Sequence, residues 1–125
     1  MPLADHERIY IVDDDESVRD SARALLESYD LAVEDYASAQ AFLDDFDAAS
    51  MGGCLLLDVN MPEMDGIELL ELLRGRQVAI PVIIVSAQND PEVKARARRA
   101  GAFAFLEKPV DDRLIDAIGQ ALRAL

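Results

Sequence analysis

Cysteine, histidine and basic residues are all scarce in this 125-residue chain. The single cysteine, Cys54, excludes an internal disulfide. Inside an apolar run it reads as a packed small hydrophobe, and the expected setting is reducing and cytoplasmic. The single histidine, His6, lies in a polar N-terminal stretch with no neighbouring ligands and is assigned no chemistry. There is no Cys/His zinc spacing, no Ser-His nucleophile set, no P-loop and no Gly-x-Gly-x-x-Gly. Bases number 12 against 25 acids, a net charge of −13, which argues against direct nucleic-acid contact and against anionic membranes. No hydrophobic run approaches the ~20 residues needed to cross a bilayer. Met1 to Glu7 contain no apolar leader and read as a flexible N-terminus, leaving 8–125 as one domain, long enough for a real core. No internal repeat, linker or low-complexity segment is visible.

What is abundant is apolar, at 51% of the chain, and it alternates between two periods. Arg8 to Val12 is a β-branched and aromatic run that ends in Asp13-Asp14-Asp15. A helical stripe follows in Val18, Ala22, Leu25, Leu26 and Tyr29. Leu31 to Tyr36 reads as a weaker second strand. Ser38 is an N-cap for a helix carrying Phe42, Leu43 and Phe46, which Met51-Gly52-Gly53 breaks. Cys54-Leu55-Leu56-Leu57 then runs without interruption into Asp58, the signature of a strand buried on both faces. A helix opens at Asp65-Gly66, carries Ile67, Leu69, Leu70, Leu72 and Leu73, and is expected to stop at Gly75. Pro81 to Val85 is a fourth strand ending at Ser86. Asp90-Pro91 opens a fourth helix, with Gly101 as its end. Ala102 to Leu106 is a fifth strand leading to Glu107-Lys108-Pro109. The last helix carries Leu114, Ile115, Ile118, Leu122 and Leu125. The expected fold is therefore α/β: one doubly wound parallel sheet of five strands with helices on both faces.

In such a sheet all carboxyl ends share one edge, where ligands bind. Asp13, Asp14, Asp58, Ser86 and Lys108 converge there from four separate segments. Crowded carboxylates repel unless a cation neutralises them, and a hard divalent ion such as Mg²⁺ suits oxygen ligands. The hydroxyl and the ammonium suit an anion. Together they describe phosphoryl transfer onto an aspartate. Competing readings separate these residues from their neighbours. Asp15 and Glu16 read as a solvated helix start, since acids favour that end; Asp13 and Asp14 are set apart by the matching Asp58. Asp65 reads as a helix cap. Lys94, Arg96, Arg98 and Arg99 form the one basic cluster, a solvated face by default and a partner contact on the sharper reading.

Val12-Asp13-Asp14, Asp58-Val59-Asn60-Met61-Pro62-Glu63-Met64-Asp65-Gly66, Ser86-Ala87 and Lys108-Pro109 together resemble a bacterial two-component response-regulator receiver domain, from about Arg8 to Leu125. Ile9 to Glu16, Ala37 to Leu43 and Phe105 to Pro109 look most like the FixJ-type branch. The resemblance implies a CheY-like (flavodoxin-like) sheet of order 2-1-3-4-5. It implies Asp58 as phosphoacceptor, and Mg²⁺ held by Asp13, Asp14, Asp58 and the Asn60 carbonyl. Ser86 and Lys108 would contact the phosphoryl oxygens, Ser86 and Phe105 would form the switch, and Asn60 and Gln88 would tune dephosphorylation. The implied partners are a histidine kinase or phosphotransfer protein, and a downstream protein or second copy at the face of helix 4, strand 5 and helix 5.

Three departures from the branch surround the moving loop: Ser86 for the commoner Thr, Ala87 to Asp90 without Gly-His-Gly, and Val110 where Phe is common. They bear on dimerisation rather than on phosphorylation. No DNA-binding segment follows Leu125, and the lack of a linker favours a stand-alone protein over the front of a longer regulator. An Asp-nucleophile, Mg²⁺-dependent phosphatase would also place a carboxylate after a buried strand. It resembles Asp-x-Asp there, and this chain has Asn60 and no room for a substrate cap. A receiver-like scaffold that is never phosphorylated typically loses the Asp, the Lys or the hydroxyl, and all are present. An enzyme in its own right is thus not expected beyond self-phosphorylation and slow autodephosphorylation.

Overall fold

Ten elements alternate along the chain: β1 (Glu7–Val12), α1 (Glu16–Glu27), β2 (Val33–Tyr36), α2 (Ala39–Asp45), β3 (Gly52–Asp58), α3 (Gly66–Gly75), β4 (Val82–Ser86), α4 (Pro91–Ala100), β5 (Ala104–Glu107) and α5 (Asp112–Arg123). The computed structural model describes residues 7–46 and 52–123; the expected N-terminal stretch up to His6, together with Met51 and Leu125, lies outside the described residues. Helices begin where a short polar side chain satisfies free N–H groups of the first turn. Asp15 accepts from Ser17 and Val18, Ser38 from Ala41, Asp65 from Glu68, and Asp90 from Glu92. Each such cap contributes about 1 kcal/mol. At Asp65 the box is reciprocal, because the Glu68 carboxylate accepts from the Asp65 N–H at 3.0 Å.

The strands form one sheet of order β2-β1-β3-β4-β5, and every pair is parallel. β3 is central and both its faces are covered. Leu55 and Leu57 pack with Phe42 of α2 and with Ile67, Leu70 and Leu73 of α3. Cys54 and Leu56 pack with Ala22 and Leu26 of α1 and with Leu114 and Ile118 of α5. An alternating half-buried strand could not have carried an unbroken apolar run; a two-sided one requires it. Each buried Leu contributes about 2 kcal/mol, and truncating Leu55 to Ala would cost about 3 kcal/mol. Burial pushes the Cys54 thiol up to about 12, so it behaves as a hydrophobe.

Several boundaries differ from the sequence-based expectation. β1 opens at Glu7 rather than Arg8, and β2 and β5 begin two residues late, at Val33 and Ala104. Gly52 and Gly53 belong to β3 instead of breaking a helix. Gly53 has φ 114°, and a side chain there would collide with the Arg8 backbone, so the glycine reflects close strand approach. α3 does stop at Gly75 as expected, but the left-handed turn falls two residues later, on Gln77, φ 62°. Hydrogen bonds from Gln77 N to the Arg74 carbonyl and from Val78 N to the Leu73 carbonyl hold that turn at 3.0 and 2.9 Å. Tyr29 lies beyond the end of α1 and is 49% exposed, so it is not part of the core stripe.

Candidate functional site

The register of the sheet delivers the site. Asp58 ends β3 opposite Val85, Ser86 ends β4 opposite Glu107, and Lys108 follows β5 directly. The Lys108 N–H donates to the Ser86 carbonyl at 2.7 Å, which fixes where its side chain starts. Asp13 follows β1, and its N–H donates to the Tyr36 carbonyl at 3.1 Å. Lys108 Nζ then donates to Asp13 Oδ2 and Asp58 Oδ1, both at 3.0 Å. Asp13 Oδ1 accepts from the Asp15 N–H at 2.9 Å. Gly66 abuts this arrangement, because a Cβ there would strike the Asp58 carbonyl. The Gly66 N–H donates to the Val59 carbonyl at 3.3 Å, closing the loop after Asp58.

Asp13, Asp58 and Ser86 are the buried polar residues among those described. Burial, above the repulsion from Asp13, pushes the Asp58 carboxyl above its ordinary value, against the pull of the Lys108 hydrogen bond. Burial alone would lower the Lys108 ammonium, but its bonds to Asp13 and Asp58 outweigh that and raise it. Lys108 therefore stays charged between its two partners. Asp14 is exposed, and one carboxylate oxygen from each of Asp13, Asp14 and Asp58 lies within 4.8 Å of the others. One ammonium against three carboxylates leaves the pocket negative, and the donors are all hard oxygens, so the set fits a divalent cation such as Mg²⁺.

The remaining expected residues distribute as follows. Ser86 Oγ accepts from the Gln88 N–H at 3.1 Å. Asn60 and Gln88 are both exposed, on the loops after β3 and β4. Phe105 is half-buried on β5, opposite Ile84, with Lys94 Nζ 5.8 Å from its ring centroid. The four bases of α4 do not share one face, contrary to expectation. Arg96 turns toward α3, 3.5 Å from Asp65 and 3.7 Å from Glu71. Lys94 and Arg98 instead line a cavity of about 140 Å³ with Phe103 and Phe105. The helical repeat separates these side chains, which sequence adjacency had grouped. One contributor escaped the sequence altogether: Arg19 of α1 donates from Nη1 to the Asp13 carbonyl at 2.8 Å. Its position on the half-buried side of α1, one turn past the acidic start, is the signal that was available.

Among the described residues no helix is long and apolar enough to cross a membrane. Residues 9–119 match the response regulator receiver domain family. The chain is 43% identical to the transcriptional regulatory protein FixJ of Bradyrhizobium diazoefficiens over 116 residues, 92% of this chain and 56% of that protein. It is 42% identical to the transcriptional regulatory protein TdiR of Thauera aromatica, over 91% of this chain and 50% of that one. It thus spans about half the length of these curated relatives. A crystal structure of FixJ-N superposes with a TM-score of 0.88 at 38% identity, covering 98% of both chains. A Vibrio cholerae chemotaxis protein superposes at 0.82 with 26% identity, covering 93% of this chain and 98% of that one. Five parallel strands in this order, an acidic pocket at their carboxyl edge and these matches lead to one identification: the chain belongs to the response regulator receiver domain family, as a receiver of the FixJ type.

Proposed function

We propose that this receiver accepts a phosphoryl group on Asp58 from a phosphohistidine of a histidine kinase or phosphotransfer protein. The observation that carries this is the Lys108 ammonium bridging Asp13 and Asp58 at 3.0 Å inside a cluster that includes Asp14. A carboxylate oxygen of Asp58 attacks phosphorus, the bond from phosphorus to the histidine nitrogen breaks, and its electron pair stays on the imidazole. The product is an acyl phosphate on Asp58 and a free histidine. Ser86 Oγ and Lys108 Nζ donate to the phosphoryl oxygens, Lys108 exchanging part of its contact with Asp58 for the new anion. Asp13, Asp14, Asp58 and the Asn60 backbone carbonyl would hold Mg²⁺. When bound, the ion neutralises the charge that gathers on the transferring group. The chain's own part is to bury the nucleophile, aim the ammonium, and leave the pocket open on the Asp14 side.

On the output side, Ser86 would move toward the phosphoryl oxygens, shifting Ala87 to Asp90, and Phe105 would turn into the space released. Phe105 has no hydroxyl to satisfy, so its inward state carries no hydrogen-bond penalty. The face of α4, β5 and α5 would then present a changed surface to a downstream protein or to a second copy, with Lys94 and Arg98 offering charge to an acidic partner. The domain itself would make no nucleic-acid contact, would act in the cytoplasm, and would be no enzyme beyond self-phosphorylation and slow autodephosphorylation. A phosphatase reading is not favoured, since Asn60 stands where such an enzyme needs a carboxylic acid.

Intact-mass measurement tests the reading, using acetyl phosphate and Mg²⁺ on the wild type and on Asp58→Asn. The wild type should gain one phosphoryl group and the variant none, and excess EDTA should block the gain. Equal gain by both proteins, or sustained turnover of a phosphate ester, would overturn it.

A further inference from the structure

We propose that Arg19 is a positioning residue for the acidic pocket, and that Asp35 holds Arg19 to that task. The proposal rests on the phosphoacceptor reading for its purpose, though not for its geometry. Every polar group of Asp13 has a fixed partner. Its N–H goes to Tyr36, its carboxylate to Asp15 and Lys108, and its carbonyl to Arg19 Nη1 at 2.8 Å. That carbonyl belongs to the peptide joining Asp13 to Asp14. Rotation of this peptide would re-aim the Asp14 carboxylate and loosen Asp13 with it. Arg19 is the group that stops the rotation.

The Arg19 side chain is only 15% exposed, and its Nε donates to Asp35 Oδ2 at 3.2 Å. Asp35 does not need Arg19 for its own neutralisation, because Arg23 Nη2 already donates to the other oxygen at 2.7 Å. Arg23 is in turn pinned to the Val33 carbonyl at 3.2 Å. A chain of contacts therefore runs from the edge strand β2 through Asp35 and Arg19 to the backbone of the pocket. A guanidinium is suited to this because its fork reaches two acceptors at fixed angles, whereas an ammonium does not. Partners of this outer kind typically change metal affinity by about 10–100-fold when removed.

The test uses the full chain with Arg19→Gln, Arg19→Lys, Asp35→Asn and the double variant Arg19→Gln/Asp35→Asn. Two readouts are taken: the Mg²⁺ concentration that half-saturates the amide shifts of Asp14 and Asp15, and the melting temperature in EDTA and in Mg²⁺. Arg19→Gln should raise half-saturation about tenfold and shrink the Mg²⁺-dependent rise in melting temperature. Arg19→Lys should recover part of the affinity. Asp35→Asn should act in the same direction but less, and the double variant should be no worse than Arg19→Gln alone. Wild-type half-saturation in Arg19→Gln, whatever its melting temperature in EDTA, would reduce Arg19 to an ordinary structural pair. Should Arg19→Gln not fold, unchanged Mg²⁺ affinity in both Arg19→Lys and Asp35→Asn overturns the proposal equally. Failure of acetyl phosphate to modify wild-type Asp58 would instead remove the phosphoacceptor reading while leaving the positioning effect on Mg²⁺ to stand or fall by these shifts.

Discussion

At the carboxyl edge of the sheet, Lys108 Nζ lies 3.0 Å from Asp13 and Asp58, with side chains 18%, 4% and 5% exposed. On the flank of α4, Arg96 reaches Asp65 and Glu71 at 3.5 and 3.7 Å with 42% of its side chain exposed, and Lys94 merely overlies Phe105. Both regions are charged, but only the first is committed. Buried charges that lose a partner are left uncompensated, so the pocket resists rearrangement. Exposed pairs are worth about 0–1 kcal/mol, so the flank shifts easily. Under the proposed function, a charge added at Asp58 would therefore be felt in a stiff place and expressed in a soft one, the arrangement a two-state switch needs.

The largest expected difference comes from stability. Lys108→Ala leaves Asp13 and Asp58 facing each other without their cation and should lose about 3 kcal/mol at neutral pH. Arg96→Ala on the flank should lose no more than about 1 kcal/mol. Urea unfolding of the two variants compares them directly, and equal losses would erase the distinction between the regions. Next comes Gly66→Ala, whose new methyl meets the Asp58 carbonyl. It should cost about 2 kcal/mol through backbone displacement. Gly75→Ala has open space around the new atom and should be neutral or slightly stabilising.

The pH dependence should have opposite signs at two carboxylates. Asp58 binds its proton more tightly when folded, chiefly through burial, so its contribution falls as pH rises from the ordinary 3.8 through its raised native value. Asp35 is held below 3.8 by the Arg23 hydrogen bond, so its contribution is present above 3.8 and is lost as pH falls through its native value. Melting temperature against pH for Asp58→Asn and Asp35→Asn should flatten opposite slopes. A smaller, kinetic effect is expected on the loops after β3 and β4, where Asn60 and Gln88 variants should change the decay rate of phospho-Asp58 more than the phosphorylation yield; intact mass over time measures both. The finest test reads the flank itself. A phosphoryl mimic should shift amides at Phe105 and across 90–101. Shifts confined to the pocket would break the link between the two regions.

How much of this was legible in the chain depends on which interactions are local. Strands, helices and caps follow from runs and spacings within a few residues, so the alternation, the parallel sheet and the capping role of Asp65 could all be read before folding. Asp13, Asp58, Ser86 and Lys108 were legible for the same reason. Asp13, Asp58 and Ser86 stand directly after an apolar run and Lys108 one residue beyond one, and in a parallel sheet such positions share an edge. Gly53 misled because its role comes from a neighbouring strand, and the left-handed turn at Gln77 went unread because a turn's hydrogen bonds place it; residue type announces neither.

The chain alone carries the topology class and the strand-end residues that meet at one edge of the sheet, because hydrophobic periodicity and strand ends are local along it. Only the tertiary structure decided what each charged side chain does. Arg19 reaches Asp35 across 16 positions, Lys108 reaches Asp13 across 95, and Arg96 leaves its neighbours to face α3. Long flexible side chains choose partners by the distances that packing creates, and those distances do not exist until the core has closed.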